Sequence, residues 1–345
     1  MKRIANLTLF LIIFAVTIKF LEAQAPAFKN KAEYDGYNAA YLEKDPAKKA
    51  DLAAKFLADF AASDPSFRLN AYMMMAKGYL DSKNLPKAMD AADKIDEVLP
   101  ATAADKKSVI YGYGMTAAQT ADDMAKIIHF GDKVLALNPA DANTLITLAG
   151  LIPERLPTDE AGKKAALDKA EGYATKALTE VGKIFGGAKP AAMSDADWNA
   201  QRATVMGGLH SNLGFVALNR QDYDKSAAEY TLAVKDTPKD GIAQFRLGLA
   251  FNGQAVTLSK AYSASIDEFN NASKGGADAA ATAPLKAKTD ELEAKLRAKR
   301  DEAIAALATA VAIGGPVQQP AMDQLKKLWT GTPEDLDKLI ASKKG

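Results

Sequence analysis

The sequence predicts an all-α protein, a row of antiparallel helix hairpins stacked into a solenoid. Three observations carry that prediction. Proline recurs at repeat-like intervals: Pro65, Pro100 and Pro139 are separated by 35 and 39 residues, and each follows an amphipathic helical stretch. The chain is rich throughout in Ala, Leu, Lys, Glu and Asp, with none of the sustained apolar–polar alternation that builds strands. Its composition, 48% hydrophobic and 25% charged over 345 residues, suits a packed body rather than a disordered one.

The same composition excludes several chemistries. Basic and acidic residues number 44 and 43, so the formal charge of +1 gives no general electrostatic reason to expect a nucleic-acid partner. The chain has no cysteine, which removes disulfides, thiolate nucleophiles, Cys-ligated zinc and iron–sulfur clusters. Of the two histidines, His129 reads as a surface or edge residue of a second helix and His210 as a packing residue. No phosphate loop, GxSxG elbow, HExxH helix or calcium loop occurs. The double glycines at 186, 207, 275 and 314 read as turns, or as close packing for Gly207-Gly208. The sequence therefore predicts no catalytic residue, no metal site and no cofactor.

The first residues read as an export address. Lys2 and Arg3 precede an apolar run from Leu7 to Ile18, and small residues follow at Ala23 and Ala25. That run is short of the roughly 20 residues a membrane span needs. Cleavage is expected after Ala23, because Pro26 would crowd a cut after Ala25. Segment 1–23 is thus a signal peptide. The remainder is expected to lack a membrane span and to reside in the periplasm, or outside, of a bacterial cell.

The repeat is plainest from Gly207 to Asp240, where Leu213-Gly214, Asp222-Tyr223, Ser226, Tyr230, Ala233 and Pro238 follow one another. Small Gly214 and Ser226 let two helices approach where they cross, Tyr230 and Leu213 fill the adjoining space, and Pro238 stops the second helix. Leu69–Thr102 obeys the same template through Tyr72, Met75, Ala76, Tyr79, Ala88, Ala92, Ile95 and Pro100, with Asn84 signalling a helix start. Ser108–Asp141 fits more loosely, with Met115 and Ile127 in the places of the two small crossing residues. Residues from Ala142 and from Gly241 begin further units, through Leu148-Ala149 and Leu247-Gly248, and 30–64 is a degenerate leading pair broken at Asp45-Pro46. This pattern resembles the tetratricopeptide repeat, a helix hairpin of about 34 residues, over roughly residues 30–315.

The expected organisation is a set of N-terminal hairpins over 24–185, a second set over 186–315 carrying a long helical insertion at about 255–300, and capping helices over 316–345. Gly186-Gly187 through Ser194 marks the break. Pro284–Ala312 is expected to form one long helix, paired with 255–273 as a solvated arm or packed as a coiled coil on another subunit. Helices are predicted at 320–329 and 333–342, the latter opened by Thr332-Pro333-Glu334-Asp335.

The resemblance implies a superhelix whose concave face, lined by first helices, holds an extended segment or helix of another protein. Carried onto this chain, the groove positions are Lys77, Asp81, Gln119, Asn143, Ser211, Asn219 and Asn252, with Arg246 beside them. Their mixed character does not imply a strongly charged ligand. Some members of the family clamp a terminal carboxylate. Asn212 and Arg246 match two such positions here, but Ile146, Gly150 and Ile242 depart from three others, which argues against a clamp. Tyr72, Tyr79, Tyr111 and Phe251 read as core. The leading functional reading is an exported, non-catalytic scaffold binding a protein or peptide partner in the cell envelope. The alternatives are a structural subunit that self-associates through the arm, and a small-ligand binder or hydrolase. The oligomeric state and the partner's identity stay open.

Overall fold

The computed structural model describes residues 27–97, 104–276 and 278–344. The predicted signal peptide and the helix stop at Pro100 lie outside the described residues. Within them the chain is helical and contains no strand. It divides by packing into two compact units, one ending at Leu148 and one beginning at Ala149. The interruption expected from Gly186-Gly187 through Ser194 is present within the second unit, between a helix that ends at Gly186 and one that begins at Asp195.

The first unit contains α1 (Lys31–Leu42), α2 (Pro46–Asp59), α3 (Pro65–Asp81), α4 (Leu85–Asp93), a 3-10 turn at Lys94–Glu97, α5 (Ala104–Thr120), α6 (Met124–Leu137) and the start of α7 (Ala142–Glu154). Local chemistry sets the boundaries. Asn30, Asp45, Asp64 and Asp123 each accept a backbone N–H from the helix they precede, and Pro46 and Pro65 occupy first-turn positions where no N–H is missed. Asn84 occupies the corresponding place before α4, yet its side chain makes no capping bond. From α1 to α6 each helix packs on the next, and α3 also touches both α1 and α5, so the first helices of successive hairpins lie side by side.

The second unit runs through α8 (Glu160–Gly186), α9 (Asp195–Asn219), α10 (Tyr223–Asp236), α11 (Gly241–Lys274), α12 (Ala279–Ile313), α13 (Gln318–Leu328) and α14 (Pro333–Ser342). At the α9–α10 crossing, a Cβ on Gly214 would lie 2.8 Å from Cδ2 of Tyr230, and the Ser226 hydroxyl donates to the Gly214 carbonyl at 3.0 Å. The α11–α12 crossing repeats the arrangement with Gly248 against Leu307, 2.7 Å from Cγ for the same imagined Cβ. Leu325, Leu336 and Ile340 of the last two helices bury themselves on Leu307 and Val311, so α13 and α14 cover the end of α12.

Three turns between paired helices are copies of one another. Lys83, Asp122 and Gln221 adopt left-handed φ values of 61°, 61° and 60°. The next residue in each case, Asn84, Asp123 or Asp222, donates its N–H to the carbonyl five places earlier, at 2.8, 2.9 and 2.9 Å. This closes the first helix in the Schellman manner and opens the second.

The loosely fitting unit corrects one expectation. The close approach there is not at Met115 and Ile127 but one residue earlier, at Gly114, where a Cβ would meet Ala92 Cβ at 2.8 Å and the Phe130 ring at 2.9 Å. Gly207-Gly208 divides: a Cβ on Gly207 would lie 3.0 Å from the Thr237 side chain, whereas one on Gly208 would face open space.

The insertion is simply the outward continuation of the last hairpin, since α11 has 34 residues and α12 has 35. Buried or half-buried positions recur at 258, 262, 265, 269 and 272 on α11 and at 285, 289, 292 and 296 on α12. These alternating steps of four and three are the seam of an antiparallel two-helix coiled coil. Ser265 and Thr289 face each other across it with their hydroxyls 2.6 Å apart, and Lys288 pairs with Glu268 at 2.9 Å.

Candidate functional site

In the first unit, side-by-side packing of α3 and α5 beside the α1–α2 turn leaves a groove of about 310 Å³. Met73, Met74 and Tyr113 supply its apolar surface, Lys44, Lys49 and Lys77 its cations, and Asp81 its one acid. Helical spacing explains the wall: 73, 74, 77 and 81 share one face of α3. The neighbouring face is committed to the core through Tyr72, Met75, Ala76 and Tyr79. Gly78 brings the α2 backbone close, for a Cβ there would sit 2.5 Å from the Pro46 carbonyl oxygen. Lys77 and Asp81 pair at 2.5 Å, and the bond to Asp81 holds the lysine above its ordinary pKa.

Two of the eight predicted groove residues, Lys77 and Asp81, therefore lie in this groove. Gln119 is half-buried nearer the end of α5, and Asn143 is exposed in the first turn of α7. Sequence reasoning missed Met73, Met74 and Tyr113, because apolar residues on an amphipathic helix read as core. It also missed Lys44 and Lys49, which come from a turn and a second helix.

The other four predicted residues belong to the second unit. Arg246 on α11 lays its guanidinium over the Phe215 ring, 4.2 Å from the centroid. It also faces the Tyr230 hydroxyl, whose pKa is raised by burial and only partly brought down by the arginine. Asn219 turns its amide back to the Phe215 carbonyl at 3.0 Å, and Ser211 and Asn252 are half-buried. Nearby, Gln244, Leu247 and Phe251 of α11 and Glu302, Ala306 and Thr309 of α12 line a second hollow of about 270 Å³. Phe251 corrects its expectation. Tyr72, Tyr79 and Tyr111 are buried, but Phe251 is half-buried, packed on the core at one edge and open to this hollow.

The two histidines are both engaged. His210 is no simple packing residue, because its Nδ1 contacts the Glu229 carboxylate at 2.8 Å in a partly buried pair. His129 is exposed, as expected, and its Nε2 lies 2.5 Å from Asp93. Asp93 also takes Lys126 at 2.7 Å, while Asp96 takes Lys133 at 2.6 Å, the Tyr111 hydroxyl and Lys107 at 3.5 Å. This network ties α4 and the 3-10 turn to α5 and α6. Among the described residues no group of three or more acids or histidines is arranged to hold a metal, and no helix is long and apolar enough to cross a membrane.

No protein-family model and no curated protein matches the chain. Among solved structures, a tetratricopeptide repeat protein from Parabacteroides merdae aligns over 87% of this chain and 99% of its own, at 11% identity and a TM-score of 0.38.

Proposed function

We propose that the chain is an exported, non-catalytic scaffold of helix hairpins that holds a segment of a protein partner in the cell envelope. The observation that carries this reading is the groove over α3 and α5. There, the first helices α3 and α5 supply a methionine pair and a tyrosine ring to a groove that also holds three lysines. Such a surface suits an extended segment, whose side chains enter the gaps between neighbouring helices. The export component rests on Lys2, Arg3 and the Leu7–Ile18 run.

The structural-subunit alternative drew on the leucines of the arm. Positions 285, 292 and 296 are half-buried within the hairpin that α12 forms with α11, so that stripe is already in use inside the chain.

Site-specific photo-crosslinking in intact cells tests the proposal. A crosslinking side chain at Tyr113 should capture a discrete protein, whereas the same group at Lys164, exposed on α8, should not. Equal capture at both positions, or none at Tyr113, would remove the reading. Finding the chain unprocessed in the cytoplasmic fraction would remove its export component.

A further inference from the structure

We infer that the groove of the first unit selects a peptide segment that carries both acidic and bulky apolar side chains. This rests on the scaffold reading of the same groove and adds the chemistry of the bound segment.

The argument is one of charge complementarity. Three lysines and one aspartate line the groove, and that aspartate is already paired with Lys77. The acids closest in sequence, Glu43 and Asp45, are not among the residues that line the groove. Glu43 accepts from the N–H groups of Lys44 and Asp45 at 2.7 and 2.9 Å, and Asp45 caps α2 by accepting from Lys48 at 2.8 Å. Among the described residues neither Lys44 nor Lys49 forms an ion pair. The lining therefore holds two more positive than negative groups, on a chain that is nearly neutral as a whole. Met73, Met74 and the Tyr113 ring line the same groove as those charges, and unbranched thioethers adapt to varied apolar shapes. A purely acidic ligand would leave this surface wet, and a purely apolar one would leave the lysines without partners.

The test uses the full chain after removal of residues 1–23 and four fluorescent peptides, blocked at both ends so that no terminal charge contributes. Their repeats are Glu–Leu, Gln–Leu, Glu–Ser and Lys–Leu. Fluorescence anisotropy should show Glu–Leu binding about tenfold more tightly than each of the others, the equivalent of a few partly exposed charge pairs. The advantage should shrink as salt rises toward about 1 M. The double variant Lys44→Glu/Lys49→Glu alters two side chains outside the core. It should keep its circular dichroism and melting temperature and lose that advantage. Equal binding of Gln–Leu, equal binding of Glu–Ser, or an unchanged affinity in the double variant would overturn the inference. If Tyr113 still captured a protein in cells, the scaffold reading would survive that result.

Discussion

Gly253 in the middle of α11 lies against the ring of Tyr223 at the start of α10, so closely that a Cβ at position 253 would fall 2.2 Å from the ring carbon Cδ1. The contact fixes the distance between the second helix of one hairpin and the first helix of the next. Glycine in a helix interior ordinarily costs about 0.5–1 kcal/mol relative to alanine. Its presence here follows from the ring rather than from the backbone.

Gly253→Ala should therefore destabilise the chain by about 1–3 kcal/mol, because the ring must move or the helices must part. Gly208→Ala is the control, since that residue is exposed on α9 with nothing within 4 Å, and it should be neutral or slightly stabilising. Melting temperatures of the two variants decide the matter. Equal values would mean that the α10–α11 spacing is not set by this contact.

The crossing inside the α9–α10 hairpin answers to the same reasoning. Gly214→Leu drives a branched side chain into the space filled by Tyr230, which is fully buried, and separates the Ser226 hydroxyl from the carbonyl it binds. A loss of about 1–3 kcal/mol is expected, read as a lower denaturant midpoint. An unchanged midpoint would contradict the crossing.

Much of this architecture was legible because its signals are local. Asp45-Pro46 and Thr332-Pro333-Glu334-Asp335 state a cap and a first turn within four residues, and α2 and α14 begin where they say. Leu213-Gly214 and Leu247-Gly248 announce close crossings because little else explains a glycine inside an alanine-rich helix. What escaped depended on partners remote in sequence. In the looser unit the ring filling the gap is Phe130, one residue ahead of the place Tyr230 holds in its own hairpin, and this moves the small residue from 115 to 114. The bond between Asp93 and His129 spans 36 residues and leaves no spacing rule to read. Met73, Met74, Tyr113 and Phe251 escaped for another reason: an apolar side chain on a helix looks the same in sequence whether its face is covered or open.

The three copied turns offer a stability gain. Lys83, Asp122 and Gln221 hold left-handed φ values, a conformation that costs a residue with a Cβ about 1–2 kcal/mol. Glycine removes that strain but gives the unfolded chain more freedom, worth about 0.4–1 kcal/mol in the opposite direction. The difference favours Gln221→Gly by up to about 1 kcal/mol, a rise of a few degrees in melting temperature. Gln221→Val should lower it, because branching at Cβ worsens the same clash. A Gly variant no more stable than the Val variant would show that the turn geometry is not what limits the hairpin.

Acid should loosen the first unit through the network around α4. Burial alone would raise the pKa of Asp93, but its hydrogen bonds from Lys126 and His129 outweigh that and hold it below its ordinary value of 3.8. Burial of Asp96 is likewise outweighed by Lys133 and the Tyr111 hydroxyl. A carboxyl depressed by folding binds fewer protons in the native state than in the unfolded one. Its contribution is therefore complete above its unfolded pKa and drains away as the pH falls through the folded value. Melting temperatures measured from about pH 6 down to about pH 3 should fall, with the loss concentrated below about pH 4. Asp93→Asn should begin lower at neutral pH, since Lys126 loses its partner, and should then fall less steeply because one titrating group has gone. Parallel curves for the two proteins would mean that Asp93 does not carry the acid sensitivity assigned to it.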